Sequence, residues 1–201
     1  MLHKLKEEMN HLSVLGHTLS TTQDVKLKRC RYGWMMYNIN DMYVGKSLDT
    51  YGEFSEFETL LFRDFIKPGQ IVLDIGANLG AHTVSFSEMV GDTGHVIAFE
   101  PQRYLYQMLC GNLALNSCRN VFPILGAIGD VGGYIDVPLP NYQEEGNFGC
   151  ISVGEKIGSD FKEVVPLFKI DELELPGCSF LKVDVEGMEL EDPDRDWETS
   201  I

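Results

Sequence analysis

Ile71-Val72-Leu73-Asp74-Ile75-Gly76-Ala77-Asn78-Leu79-Gly80 decides the fold. An apolar run carries an acid near its end, and two glycines then lead into Ala81-His82-Thr83-Val84. This pattern predicts a buried parallel strand, a tight turn and the start of a helix. Gly76 and Gly80 have no Cβ, so backbone at the turn can approach a ligand closely. The helix start adds unpaired N–H groups and the positive end of a dipole. Such a turn suits a polar or anionic group.

Downstream, the pattern repeats. A helix is predicted from about Ala81 to Val90, and a strand over His95-Val96-Ile97-Ala98-Phe99-Glu100, ended by Pro101. A helix from about Gln102 to Leu115 and a strand over Asn120 to Leu125 follow, entering the loop Gly126-Ala127-Ile128-Gly129-Asp130. Ser179 to Asp184 reads as a fourth core strand, with Val185-Glu186-Gly187-Met188-Glu189 after it. Strands alternating with helices across short loops predict an α/β fold with a parallel sheet. Right-handed crossovers put the strand C-termini on one edge, where Asp74, Gly76, Glu100 and Ala127 meet and ligands bind. Between Gly132 and Ile170 the alternation stops. Tyr134-Ile135-Asp136-Val137 and Val164-Val165-Pro166-Leu167 predict a β hairpin insertion, and the loop through Asn147-Phe148-Gly149-Cys150 is expected over the site. Asp171 to Leu175 reads as a helical turn.

Upstream, leucines and methionines at spacings of three and four predict an amphipathic helix from Leu2 to about Leu19. Val25 to Cys30 and Trp34 to Asn38 read as strands around the turn Arg31-Tyr32-Gly33, with Met42-Tyr43-Val44 as a third short piece. These form an antiparallel β meander appended to the main sheet. Ser55 is the expected cap of a helix with Glu58 as its capping-box partner, an apolar face of Phe57, Leu60, Leu61 and Phe65, and a stop at Lys67-Pro68-Gly69. Trp34, Tyr37 and Tyr43 read as packing residues. The chain divides into an N-terminal extension over 1–50, a main domain over 51–191 and a tail over 192–201.

With 201 residues, of which 44% are hydrophobic, the chain can build one sizeable core. Its formal charge of -15 argues against a nucleic-acid backbone or an anionic membrane surface as partner. The five cysteines include no C-x-x-C pair, which predicts free, mostly buried thiols, no structural zinc and a reducing cytoplasm. The charged N-terminus does not resemble a signal peptide, and no apolar run reaches the ~20 residues of a membrane span.

The turn reads G-x-N-x-G, not the G-x-G-x-x-G of nicotinamide dinucleotide folds, which disfavours an NAD-dependent oxidoreductase. Glu100, ending the second strand, is placed to accept both hydroxyls of a ribose. Turn amides that take a carboxylate, with acids for an ammonium and a ribose, suit a nucleoside bearing an amino-acid tail. S-adenosyl-L-methionine has these groups and no phosphate, and its sulfonium tolerates nearby acid.

The series Leu73-Asp74-Ile75-Gly76-Ala77-Asn78-Leu79-Gly80-Ala81-His82-Thr83, Ala98-Phe99-Glu100-Pro101, Asn112-x-x-Leu115-Asn116, Asn120-Val121, Ala127-Ile128-Gly129-Asp130, Ile170-Asp171-x-Leu173 and Leu181-Lys182-Val183-Asp184-Val185-Glu186-Gly187-Met188-Glu189 resembles the FkbM family of S-adenosylmethionine-dependent methyltransferases. The lead-in Tyr51-Gly52-Glu53-Phe54-Ser55-Glu56-x-Glu58 is similar too. The resemblance implies a Rossmann-like class I methyltransferase fold with core strand order 3-2-1-4, and methyl transfer to a hydroxyl of a sugar or other small molecule. It implies that Asp74, Gly76, Asn78 and Gly80 hold the methionine end and Glu100 the ribose. Adenine would meet backbone at Ala127, with Asp130 as a further candidate.

In-line displacement at a sulfonium gains mainly from positioning, and a hydroxyl nucleophile gains from a base. Asp184 and Glu186 are the best placed acids, and alternation puts Lys182 on their face. The functional reading is a base, substrate positioning or a metal ligand, and a structural carboxylate holding the next segment is the competing one; two acids alone do not specify a metal, and no metal site is assigned. His82 reads as a buried or orienting histidine. After Glu189 the chain departs from the family pattern, at Asp192-Pro193-Asp194-Arg195-Asp196-Trp197. The expectation is a C-terminally shortened member in which the fourth strand is an exposed sheet edge that self-associates. A non-catalytic chain that only binds S-adenosyl-L-methionine is the alternative to an active enzyme.

Overall fold

The computed structural model describes residues 18–21, 24–149, 161–175 and 177–184. In chain order the elements are β1 (Thr18–Thr21), β2 (Val25–Cys30), β3 (Gly33–Asn38), α1 (Val44–Tyr51), α2 (Glu56–Phe65), β4 (Ile71–Ile75), α3 (Ala81–Val90), β5 (His95–Glu100), α4 (Arg103–Leu115), β6 (Val121–Leu125), β7 (Ala127–Gly129), β8 (Gly133–Pro138), β9 (Lys162–Lys169) and β10 (Phe180–Val183). A 3-10 turn covers Ile170–Glu172.

β4 is buried because it lies inside a parallel sheet of order β10-β4-β5-β6. Parallel register joins Ile75 to Phe99 and Val183, and Glu100 to Leu125. This is the anticipated 3-2-1-4 order. Alternation sends the two sides of each strand into different clusters. Val72, Val96 and Ala98 pack with Phe86 of α3 and Met108 and Leu109 of α4, whereas Leu73, Ile75, Ile97 and Phe99 pack with Ile128, Phe168 and Ile170. The hairpin insertion forms as predicted, with Ile135 opposite Val165. β7 joins it in parallel, giving a second sheet of order β7-β9-β8.

The N-terminal strands form their own sheet, β1-β2-β3, and are not appended to the main one. The outer edge of β3 is satisfied by side chains. Asn112 and Asn116, one turn apart on α4, pair with backbone two residues apart on the strand. Met36 N donates to Asn112 Oδ1 at 2.6 Å and Asn112 Nδ2 donates to Met36 O at 3.0 Å. Trp34 N donates to Asn116 Oδ1 at 2.8 Å and Asn116 Nδ2 donates to Trp34 O at 2.7 Å. Buried Met35, Tyr37 and Leu48 share one apolar cluster with Val72 and Leu109, so the extension and the main sheet have a common core.

Other local expectations are corrected. Met42 and Tyr43 form a turn and Val44 opens α1, because buried Asp41 accepts the backbone N–H groups of Tyr43 and Gly45 and nucleates a helix. Ser55 sits in the left-handed region (φ 49°) and makes no side-chain cap, so the capping box does not form. On α2, Phe57 is 90% exposed, and Leu60, Leu61 and Phe65 are also exposed. The helix instead buries Thr59 and packs Phe62 against Phe86 and Phe180. Of the predicted N-terminal helix, Thr18 and Leu19 belong to β1, and the remainder lies outside the described residues. Cys30 is buried, and burial pushes its thiol up to about 11; Cys178 is exposed.

Candidate active site

A cleft opens at the C-terminal ends of β4 and β5. Gly76, Ala77 and Asn78 line it from the turn, Glu100 from the end of β5 and Gln102 from beyond it, Ala127 and Ile128 from β7, and Lys182 from β10 with Asp184 just after it. Tyr43, Phe54, His82, Asn147 and Gly149 line it as well. The loop expected over the site is thus part of its wall. Asp74, Gly80 and Asp130 do not line the cleft: Asp74 is fully buried, Gly80 opens α3 and Asp130 is exposed beyond β7. Glu186 lies outside the described residues.

The turn uses its amides internally. Gly76 N and Ala77 N donate to the Phe99 carbonyl at 3.0 and 2.9 Å, and Gly80 N donates to the Ala77 carbonyl at 3.0 Å. Asn78 N donates to Glu100 Oε2 at 2.8 Å, and Leu79 N to Asn78 Oδ1 at 2.6 Å. The expectation that these groups take a ligand carboxylate is therefore not met by 76–80. β5 ends beside the turn and supplies both a carbonyl and a carboxylate, and buried N–H groups pair with whatever is nearest. The glycines answer to packing as well. Gly76 has φ 76°, and a Cβ there would overlap the Asp184 carbonyl oxygen. At Gly80 (φ 91°) a Cβ would lie 2.7 Å from Leu109 Cδ1.

Beneath the turn sits a buried ion pair. Thr83 Oγ1 donates to Asp74 Oδ2 at 2.6 Å, and Lys182 Nζ donates to Asp74 Oδ1 at 3.0 Å and to the Gly76 carbonyl at 3.1 Å. Asp184 Oδ2 is 3.7 Å from the same Nζ, with its side chain 61% exposed. Lys182 and Asp184 thus share a face, as the alternation predicts. Asp74 holds Lys182 in place and does not itself border the cleft.

Glu100 is 4% exposed, and Gln102 N donates to its Oε1 at 2.8 Å while Asn78 N serves Oε2. Burial outweighs these donors and pushes the carboxyl up to about 7. His82 is buried among Phe54, Phe62 and Phe86, 3.3 Å from Thr59 Oγ1 through Nδ1 and 3.4 Å from Glu58 Oε2 through Nε2. Burial, with the Lys182 charge, holds its pKa below the usual imidazole range. It has the surroundings of a held, neutral ring rather than of a base.

Sequence reasoning gave no role to Thr83, Gln102 or Tyr142, and placed Gly149 only within the loop expected over the site. Thr83 stands inside the quoted motif, one helical turn into α3, and Gln102 follows Glu100-Pro101 directly; those positions were the available signals. Tyr142 and Gly149 lie in a stretch without periodicity.

The family described as the methyltransferase FkbM domain matches residues 74–191. A search of curated proteins finds no match. Among solved structures the chain is similar to a SAM dependent methyltransferase from Aquifex aeolicus, with 28% identity over 34% of this chain and 36% of that one, at TM-score 0.32. It is similar to M. jannaschii TYW2 in complex with AdoMet, with 21% identity over 55% and 52% and a TM-score of 0.41. Fibrillarin from Aeropyrum pernix, in complex with S-adenosyl-L-methionine, shares 16% identity over 56% and 58%, at TM-score 0.33. The chain spans 36% and 52% of the length of the first two of these structures.

Proposed function

Because the chain belongs to the methyltransferase FkbM family, we propose that it transfers the methyl group of S-adenosyl-L-methionine to a hydroxyl oxygen of a small molecule or sugar. The observation that carries this reading is the buried Glu100 carboxylate in the cleft wall. Each of its oxygens accepts one backbone N–H, which leaves acceptor capacity on both for a pair of ribose hydroxyls. Ile75, Phe99 and Ile128 give the same cleft the apolar surface an adenine ring requires.

In this reading Gly76 and Asn78 border the methionine end, Asp74 supports it from below through Lys182, and Gly80 sets the start of α3. Ala127 meets adenine through backbone, and Asp130, exposed and outside the cleft lining, is given no contact with the cofactor. The cofactor supplies, when bound, a methyl carbon made electrophilic by a sulfonium. Asp184, at the cleft rim, accepts the proton of the acceptor hydroxyl. Lys182 fixes the Asp74 carboxylate and the Gly76 carbonyl, and Glu186 completes the proposed catalytic set. We place the reaction in the cytoplasm; among the described residues no helix is long and apolar enough to cross a membrane.

Titration with S-adenosylhomocysteine tests the cofactor. Glu100→Ala should weaken binding roughly 100-fold, the loss of two hydrogen bonds to a charged group. Unchanged binding removes the ribose assignment, and preferential binding of NAD removes the cofactor. Transfer of labelled methyl to a panel of sugars and polyols then tests the reaction. A second reading is favoured by the position of Lys182 on β10 and Asp184 just after it, β10 being an edge strand among the described residues: the chain binds the cofactor without turnover. Tight cofactor binding with no transfer to any acceptor would select it. We also propose self-association through the β10 edge, where Leu181 and Val183 are 48% and 55% exposed.

A further inference from the structure

The segment 141–149 crosses from the N-terminal sheet to the cofactor turn, and one side chain pins it there. At its near end the Tyr142 carbonyl accepts Asn38 Nδ2 at 2.9 Å and Asn40 Nδ2 at 3.1 Å. Gly146 N donates to the Asn40 carbonyl at 3.0 Å, and Met42 N donates to the Gly146 carbonyl at 2.9 Å. The Tyr142 ring lies between Tyr104 of α4, at 4.1 Å, and Phe148, at 5.0 Å. At the far end Gly149 abuts the Asn78 side chain, and a Cβ on it would lie 2.8 Å from Asn78 Nδ2.

Gln102 joins this segment to the ribose acid. Its Nε2 donates to the Phe148 carbonyl at 2.6 Å, and its Oε1 accepts the Tyr142 hydroxyl at 3.1 Å. Its backbone N–H is one of the two donors on Glu100. The residue is buried, and Pro101 before it has a fixed φ, so the peptide that orients Glu100 has little freedom once the side chain is held. The other donor on Glu100, Asn78 N, belongs to the residue that Gly149 abuts. Both residues that donate to the carboxylate therefore adjoin the same segment, Gln102 through hydrogen bonds and Asn78 through close packing of its side chain.

We propose that Gln102 is a positioning residue: by latching the segment 141–149 through Phe148 and Tyr142, it sets the orientation in which Glu100 receives the ribose of the cofactor. This rests on the S-adenosyl-L-methionine reading above and adds to it the element that makes the site selective for a ribose. A buried carboxylate discriminates between sugars only if its lone pairs are aimed, because a misaligned hydrogen bond adds little. Removing the latch leaves Glu100 in place and lets its two backbone donors drift. The expected loss is selectivity more than binding.

The experiment is calorimetric titration of the 201-residue chain, at a pH above about 8 where Glu100 is ionised, with S-adenosylhomocysteine and with its 2′-deoxyribose analogue. The unsubstituted protein should prefer the ribose form by about tenfold, one hydrogen bond to a charged acceptor. Gln102→Ala should bring that ratio to about 2. Tyr142→Phe keeps the ring stack and removes only the hydroxyl, so it folds even if Gln102→Ala does not, and it should lower the ratio part of the way. Gln102→Met has a similar length, cannot donate to the Phe148 carbonyl and should behave as Gln102→Ala does. Variants that keep the full ratio, or lose affinity for both ligands equally, overturn the role of Gln102. Tight binding of both ligands by the unsubstituted protein without preference overturns the ribose assignment and this inference with it. Failure of the unsubstituted protein to bind either ligand overturns the cofactor reading itself.

Discussion

Glu100 is a carboxyl that the fold withdraws from water and then supplies with two amide donors. Burial raises its pKa to about 7, Asp74 adding to the rise and Lys182 opposing it. Between the unfolded value of 4.5 and 7 the folded protein holds a proton that the unfolded chain has released. The stability this lends is fully present below pH 4.5 and is lost as pH rises through 7, on the order of 3 kcal/mol in all. Denaturant midpoints for the protein and for Glu100→Gln, measured between pH 5 and pH 8, isolate the effect, since other titrations cancel in the difference. The midpoint of the protein should fall relative to that of Glu100→Gln as pH rises, and a difference flat in pH removes the buried protonated carboxyl. Glu100 itself was legible in the sequence, because an acid that ends an apolar strand is out of place unless it has a task. The fate of the turn amides was not legible. Their acceptors, the Phe99 carbonyl and the Glu100 carboxylate, come from the next strand, and their alignment is a property of sheet register.

At the scale of elements, α2 shows how a sound pattern misleads. Phe57, Leu60, Leu61 and Phe65 have helical spacing, but Thr59, Phe62 and Ile66 occupy the neighbouring stripe and face the core. With apolar residues on both stripes, periodicity identifies the helix and leaves its rotation open; packing of Phe62 on His82, Phe86 and Phe180 decides it. Phe62→Ala should therefore lower unfolding free energy by about 2 kcal/mol. Phe57→Ser should change it by less than about 0.5 kcal/mol. Chemical denaturation reads both, and the reverse ranking would mean that the helix is rotated. The parallel strands were legible because burial on both faces leaves near-continuous apolar runs in β4 and β5. α1 was not, since its start depends on the Asp41 carboxylate bonding forward to Tyr43 and Gly45.

Over the whole molecule, the charge of -15 opposes the contact that the exposed residues of β10 and α2 favour. Salt screens the repulsion, with a Debye length of ~10 Å at 0.1 M and ~3 Å at 1 M, and leaves apolar contact intact. Light scattering should accordingly show the mass rising with salt, and Val183→Lys, which places a cation on the strand edge, should hold it at that of one chain. A single-chain mass at every salt concentration excludes association through this edge. The sheet order that places β10 beside β4 was implied by the family resemblance that the motifs carry, not by the residues alone, and the main sheet and the N-terminal sheet meet in one apolar cluster. Where they meet, the amides of Trp34 and Met36 are covered by the carboxamides of Asn116 and Asn112 and not by a neighbouring strand. Their exchange with deuterium thus keeps a separate clock, one that times the undocking of the small sheet from α4 while the ladder between β2 and β3 stays closed.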